Sequence, residues 1–153
     1  MGLGPMHGGL ERAASHQGDR VAVRALDRAW TFGQLDLWAD ALGAHLAQAG
    51  VGPGDRVAVL MANRVEFVVA VHAVSKLGAA TVLISPAWKS AEVGAALALT
   101  EPVHAVADAD GVALLARSFG GERVTDVDTP VIAALATGGA RTPERRAVAA
   151  AAE

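Results

Sequence analysis

The amino-acid sequence predicts an α/β fold, a mostly parallel sheet with flanking helices, and three observations carry that expectation. Short apolar segments and helical patterns alternate at intervals of about 20 to 25 residues, the rhythm of repeated strand–helix–strand units. Residues 56–61, 80–84 and 103–107 are apolar except for Arg56, Thr81 and His104 and do not alternate, as expected of parallel strands covered on both faces. Between them stand helix punctuation marks: Thr31 and Gln34 at capping-box spacing, and Gly50 and Gly78 where helices should stop.

In chain order, residues 21–25 alternate like a strand, residues 26–29 turn the chain, and residues 30–32 give a second short strand. These predict a small hairpin. Thr31 can accept a bond from an orphan amide while Gln34 reaches back, and Trp30 with Leu35 can form the accompanying hydrophobic staple. Leu35, Trp38, Leu42, Leu46 and Ala49 then recur at steps of three and four, which predicts an amphipathic helix ending at Gly50. Gly52-Pro-Gly-Asp55 is a turn, since proline presets one dihedral and glycine admits positive φ.

A strand over 56–61 follows. Asn63 is expected to cap a largely buried helix over 65–77, with Glu66 three positions on and Gly78 as its end. A third apolar strand over 80–84 is broken by Ser85-Pro86, a helix over 90–100 leads to Pro102, and a strand over 103–107 comes next. A helix over 110–118 and a strand over 123–127 continue the alternation. Beyond Asp128 the pattern weakens: residues 131–135 suit one more strand, 137–141 a loop, and Pro143 onward an alanine-rich helix. Two regions result, a folded portion over 1–128 and a tail over 129–153.

The composition is 52% hydrophobic and 19% charged, far from the signature of disorder, and 153 residues suffice for one core. Thirteen basic against sixteen acidic residues leave a formal charge of −3, which supports binding to neither nucleic acid nor an acidic membrane. The absence of cysteine removes disulfides, thiolate nucleophiles and cysteine zinc sites, and fits a reducing, cytoplasmic setting. The first nine residues lack a signal-peptide pattern. The longest apolar stretch, 65–74, contains Glu66 and His72 and falls short of the ~20 residues a spanning helix needs.

The segments Trp30-Thr-Phe-Gly-Gln-Leu35 and Ala49-Gly-Val-Gly-Pro-Gly-Asp-Arg-Val-Ala-Val-Leu-Met-Ala-Asn-Arg-Val-Glu-Phe67 resemble the opening of the acyl-CoA synthetases, adenylate-forming relatives of firefly luciferase and of nonribosomal-peptide adenylation domains. Ala73-Val-Ser-Lys-Leu-Gly-Ala79 and Ser85-Pro-Ala-Trp88 continue the likeness, which runs collinearly over residues 8–127. The resemblance implies the amino-terminal scaffold of a ligase that uses ATP and Mg²⁺ to make an acyl-adenylate, then passes the acyl group to coenzyme A or a carrier thiol. It also implies that the adenosine-binding motifs and the lysine-bearing lid lie downstream. Hence no catalytic residue and no cofactor are expected for these residues alone.

Where that family's phosphate loop begins, this chain reads Ala136-Thr-Gly-Gly-Ala-Arg-Thr-Pro-Glu144. Thr137, Gly138 and Pro143 match, Gly139 and Ala140 replace hydroxyls, and Glu144 stands where the family carries lysine. A carboxylate there repels a triphosphate. The physical ingredients of an anion site are nevertheless present: glycines for close amide approach, a helix start at Thr142-Pro143, and the charge of Arg141. Thr137, Gly138, Gly139 and Arg141 are therefore the candidate phosphate-binding residues, against the plainer reading of a solvated tail.

Other chemistry-bearing residues have plainer explanations. The five histidines, at 7, 16, 45, 72 and 104, have no metal-ligand spacing and read as packed or surface side chains, so no metal is expected. Asp108-Ala-Asp110-Gly111 starts like a calcium loop, but the closing carboxylate would fall on Phe119, so helix capping is the better reading. Trp88 is a candidate substrate or interface residue, because it lies in a loop at the carboxyl end of a strand. The leading functional expectation is a scaffold piece of an acyl-CoA ligase, inactive alone. The alternatives are a non-catalytic docking or dimerisation module, or half of a split enzyme partnered by a complementing synthetase subunit. Apolar surface left uncovered predicts self-association.

Overall fold

The computed structural model describes residues 4–136. The elements are α1 (Met6–Gln17), β1 (Val21–Ala25), β2 (Arg28–Thr31), α2 (Phe32–Gln48), β3 (Arg56–Leu60), α3 (Val65–Lys76), β4 (Ala80–Leu83), α4 (Ser90–Thr100), β5 (His104–Ala107), α5 (Ala109–Leu115), β6 (Val124–Asp126) and α6 (Pro130–Ala133). Short 3₁₀ turns precede β6 and follow α6. β1 and β2 pair antiparallel as the expected hairpin. The other four strands form an entirely parallel sheet in the order β4-β3-β5-β6.

The sheet's two faces follow from its sequence. Along β3, Val57 and Val59 enter the cluster built with α2 and α3, whereas Ala58 and Leu60 enter the one built with α4 and α5. β5 does the same, with Val106 on the first side and Ala105 and Ala107 on the second. A strand covered on both faces has no polar side, so its period of two sorts residues between two cores instead of between core and water. Leu42 and Leu46 of α2 are among the largest fully buried side chains, each worth roughly 1.5–3 kcal/mol over exposure.

α2 starts as its sequence demands: Thr31 Oγ1 accepts from the Gln34 amide at 3.1 Å, and Gln34 Oε1 accepts from the Thr31 amide at 2.9 Å. The turn before β3 is closed by Asp55 Oδ2, which accepts from the Gly52 amide at 2.8 Å. Gly54 there has φ +82°, a conformation that glycine adopts without steric cost.

Several expectations need correction. α1 was not expected: only Leu10 of its twelve residues is buried and no side chain caps its start, so neither periodicity nor capping signals it. It is held from outside, by His7 bonded to Ser75 Oγ at 2.9 Å and by Lys76. The Lys76 ammonium meets Glu11 at 3.1 Å, Asp36 at 2.8 Å and Asp40 at 2.7 Å, tying α1, α2 and α3 together. Burial works against its charge, but the three carboxylates outweigh burial and its pKa is raised.

β2 occupies 28–31, not 30–32, because the chain turns helical at Phe32, and Thr31, still extended, both ends the strand and caps α2. Arg64, not Asn63, occupies the N-cap of α3, and no side chain caps that start. Residues 131–135 are not a strand. Pro130 occupies the first turn of α6, where its fixed φ suits a helix start, and Ile132 turns inward.

Candidate functional site at the carboxyl edge of the sheet

From β3 the chain crosses to β4 on one side and then to β5 on the other, so strand order reverses between β3 and β5. In open α/β sheets a ligand crevice is expected outside the carboxyl ends of the strands at such a point. Leu60 and Ala107 are paired there, and the next residue, Asp108, turns into the crevice, only 7% exposed. Its Oδ2 accepts from the Ala62 amide at 2.9 Å, and its Oδ1 caps α5 by accepting from the Gly111 amide at 2.9 Å. One carboxylate thus satisfies both loops at the switch point. The helix-capping reading of Asp108 holds.

Gly111 permits this closure. A β-carbon there would collide with the Leu60 carbonyl oxygen and lie 3.2 Å from Asp108 Oδ1, so α5 seats directly on the end of β3 only because the side chain is a hydrogen.

A second tie crosses the same edge. Arg64 Nε donates to Glu66 Oε2 at 2.7 Å and its Nη2 to Glu66 Oε1 at 2.9 Å, a bidentate geometry of the stronger kind. The same Nη2 meets Asp128 Oδ1 at 2.8 Å, and Asp128 Oδ2 accepts from the Ala109 amide at 3.0 Å. The loops after β3, β5 and β6 are thereby laced together. The bond to Glu66 raises the Arg64 pKa most, ahead of the opposing effect of burial. Burial pushes Glu66 up, but the Arg64 bond and its own backbone amide more than offset this, and its pKa is lowered. Asp128 is lowered too, chiefly by Arg64 and then by the Ala109 amide.

Beside Glu66, a cavity of about 10 Å³ lies among Trp38, Val69, Val127 and Ile132, room for a single water at most. His104 sits inside the sheet at the opposite edge, its Nε2 2.9 Å from Thr125 Oγ1. Burial, then the charges of His45 and Arg123, lowers its pKa and keeps it neutral.

Trp88 is 40% exposed in the loop after β4, and its amide donates to the Ser85 carbonyl at 3.1 Å. β4 is an edge strand, so Trp88 stands at the carboxyl side of the sheet but away from the β3/β5 switch point. Thr137, Gly138, Gly139 and Arg141 lie outside the described residues. Arg64, Glu66 and Asp128 were not singled out from sequence as a group. The Arg-x-Glu spacing is visible, but Asp128 joins it only through the sheet order.

A parallel sheet with helices on both faces and a hairpin ahead of it is the architecture of the amino-terminal portion of adenylate-forming enzymes. VinN, solved with 3-methylaspartate, superposes with a TM-score of 0.79 at 22% identity, over 92% of this chain and 40% of that one. A Mycobacterium tuberculosis fatty acyl CoA synthetase superposes with a TM-score of 0.70 at 26% identity, over 80% of this chain and 26% of that one. The chain belongs to the family described as AMP-binding enzyme, which matches residues 10–150.

In sequence, phosphinothricin tripeptide synthetase PhsC of Streptomyces viridochromogenes is 34% identical over 148 residues, 90% of this chain and 13% of that protein. The 2,3-dihydroxybenzoate-AMP ligase of Bacillus subtilis is 36% identical over 83 residues, 54% of this chain and 15% of that protein. The chain therefore spans a small part of these relatives, which include peptide synthetases as well as ligases of free acids.

The family's name implies an adenine nucleotide, but the described edge does not fit one. Glu66, Asp108, Asp126 and Asp128 set four carboxylates there against the guanidinium of Arg64 and, in the loop after β4, the ammonium of Lys89, a balance that opposes a polyphosphate. Among the described residues no three ligand-type side chains gather to hold a metal, and no helix is long and apolar enough to cross a membrane.

Proposed function

We propose that these residues are the scaffold portion of a carboxylate-adenylating ligase of the acyl-CoA synthetase type and catalyse nothing by themselves. In such an enzyme a substrate carboxylate oxygen attacks the α-phosphorus of ATP and pyrophosphate departs. The thiol of coenzyme A then takes the acyl group and AMP leaves. The observation that carries the reading is the self-closure of the carboxyl edge, where Asp108, Arg64, Glu66 and Asp128 spend their hydrogen bonds on one another and on backbone amides. Side chains so committed hold loops in place and leave little capacity for a substrate.

A second reading, amino-acid adenylation for carrier-bound peptide synthesis, is favoured by the likeness to PhsC across 90% of the chain. Pyrophosphate exchange into ATP, with Mg²⁺ and panels of fatty, aryl and amino acids, tests the scaffold reading. Silence with every acid is expected. Exchange with any acid overturns it, and the acid accepted then identifies which type of ligase the chain represents.

A further inference from the structure

The two halves of α1 are fastened by different means. At the carboxyl end the join is backbone: the Gly18 carbonyl accepts from the Gly33 amide at 3.0 Å, and the Arg20 carbonyl accepts from the Phe32 amide at 3.1 Å. A β-carbon on Gly33 would lie only 3.2 Å from the Gly18 carbonyl oxygen, so α1 meets the start of α2 at close range. The amino half rests instead on side chains, through His7 on Ser75 Oγ and Glu11 on Lys76. Its own sequence adds little: Pro5 precedes α1 without a side-chain cap, Gly8 and Gly9 stand in its first half, and Leu10 is its only fully buried residue.

The charge arrangement at Lys76 is conditional. Glu11 of α1 and Asp36 and Asp40 of α2 all converge on one ammonium, and among the described residues these carboxylates make no other ion pair. With that cation in place, α1 is drawn onto α2 and α3. Without it, Glu11 is left against two like charges and the same contact becomes repulsive.

We propose that α1 is a charge-locked strap, which pivots at the Gly18–Gly33 join and opens from α2 and α3 independently of the sheet when Lys76 ceases to hold Glu11. Opening unseats Leu10 from the core and frees Ser75 Oγ from His7. The device concerns the helices behind the sheet and does not depend on the adenylation reading.

Hydrogen exchange of the purified chain, read peptide by peptide, tests the proposal, because protection of a segment that opens separately reports its own opening equilibrium. Residues 6–16 are expected to be less protected than 56–60 and 104–107. Raising the ionic strength should lower protection of α1 roughly 2- to 5-fold, the range of a partly exposed ion pair, and leave the sheet unchanged. Lys76→Met should lower it on the order of 10-fold, whereas Lys76→Arg, which keeps the charge, should retain most of it. Adding Asp36→Asn and Asp40→Asn to Lys76→Met should restore protection by removing the repulsion, an effect that a lysine serving only to fill space would not show. Glu11→Gln, a change at a half-exposed side chain, should loosen α1 alone and keeps the test decisive if Lys76→Met folds poorly. Exchange of α1 in step with the sheet at every salt concentration, or α1 protection indifferent to both Lys76→Met and Glu11→Gln, overturns the proposal.

Discussion

Replacing Asp108 by alanine removes the acceptor for two amides at once. The Gly111 amide loses its helix cap, a change that typically costs about 1 kcal/mol. The Ala62 amide, beside a carboxylate only 7% exposed, loses its partner where water has poor access, which costs about 1–3 kcal/mol. The sum is about 2–4 kcal/mol, or a fall in Tm of about 5–15 °C for a chain of this size. Asp108→Asn retains one acceptor oxygen and should lose about half as much. Urea and thermal unfolding followed by circular dichroism measure both. An Asp108→Ala chain within about 0.5 kcal/mol of the parent, the range of ordinary surface substitutions, would show that the carboxylate does not hold the switch point closed.

Gly111→Ala drives a β-carbon into the Leu60 carbonyl, so α5 must lift from β3. Unfolding should show a loss of several kcal/mol, of the order seen for severe core substitutions, and a parent-like Tm would refute the close seating. Glu66 and Asp128 have lowered pKa values, so their contribution is fully present above the unfolded carboxylate range and fades as pH falls below that range through the folded values. Their partial exposure limits it to about 1 kcal/mol. His104 acts in the same direction: its neutral form is favoured in the fold, so stability declines as pH drops below about 6.5. In Arg64→Ala the acid limb of the stability–pH curve should flatten, and an unchanged limb would count against the lacing.

Much of the fold was legible because local signals agreed with tertiary ones. The capping box at Thr31 and Gln34, the apolar runs of β3 and β5, and the glycine stops need only neighbours a few residues away. α1 was illegible for the opposite reason: its docking depends on Ser75 and Lys76, more than 60 residues further along the chain. The β-branched pair Val131-Ile132 pointed to a strand, but Pro130 fixed a helical first turn and no sheet edge was needed there. Asp108 was readable as a cap. Its second role, holding the Ala62 amide, becomes visible only once β3 and β5 are known to be neighbours. The same holds for Arg64 and Asp128, which are distant in sequence and adjacent only through the order β4-β3-β5-β6.

The central claim is that these residues build an adenylating enzyme's scaffold and not its nucleotide site. Titration calorimetry of the purified chain with ATP and Mg²⁺, run beside the pyrophosphate-exchange assay, tests it most directly. The four carboxylates at the sheet's carboxyl edge predict no saturable heat and no exchange. Saturable binding accompanied by exchange would contradict the claim and make the chain a minimal adenylating enzyme.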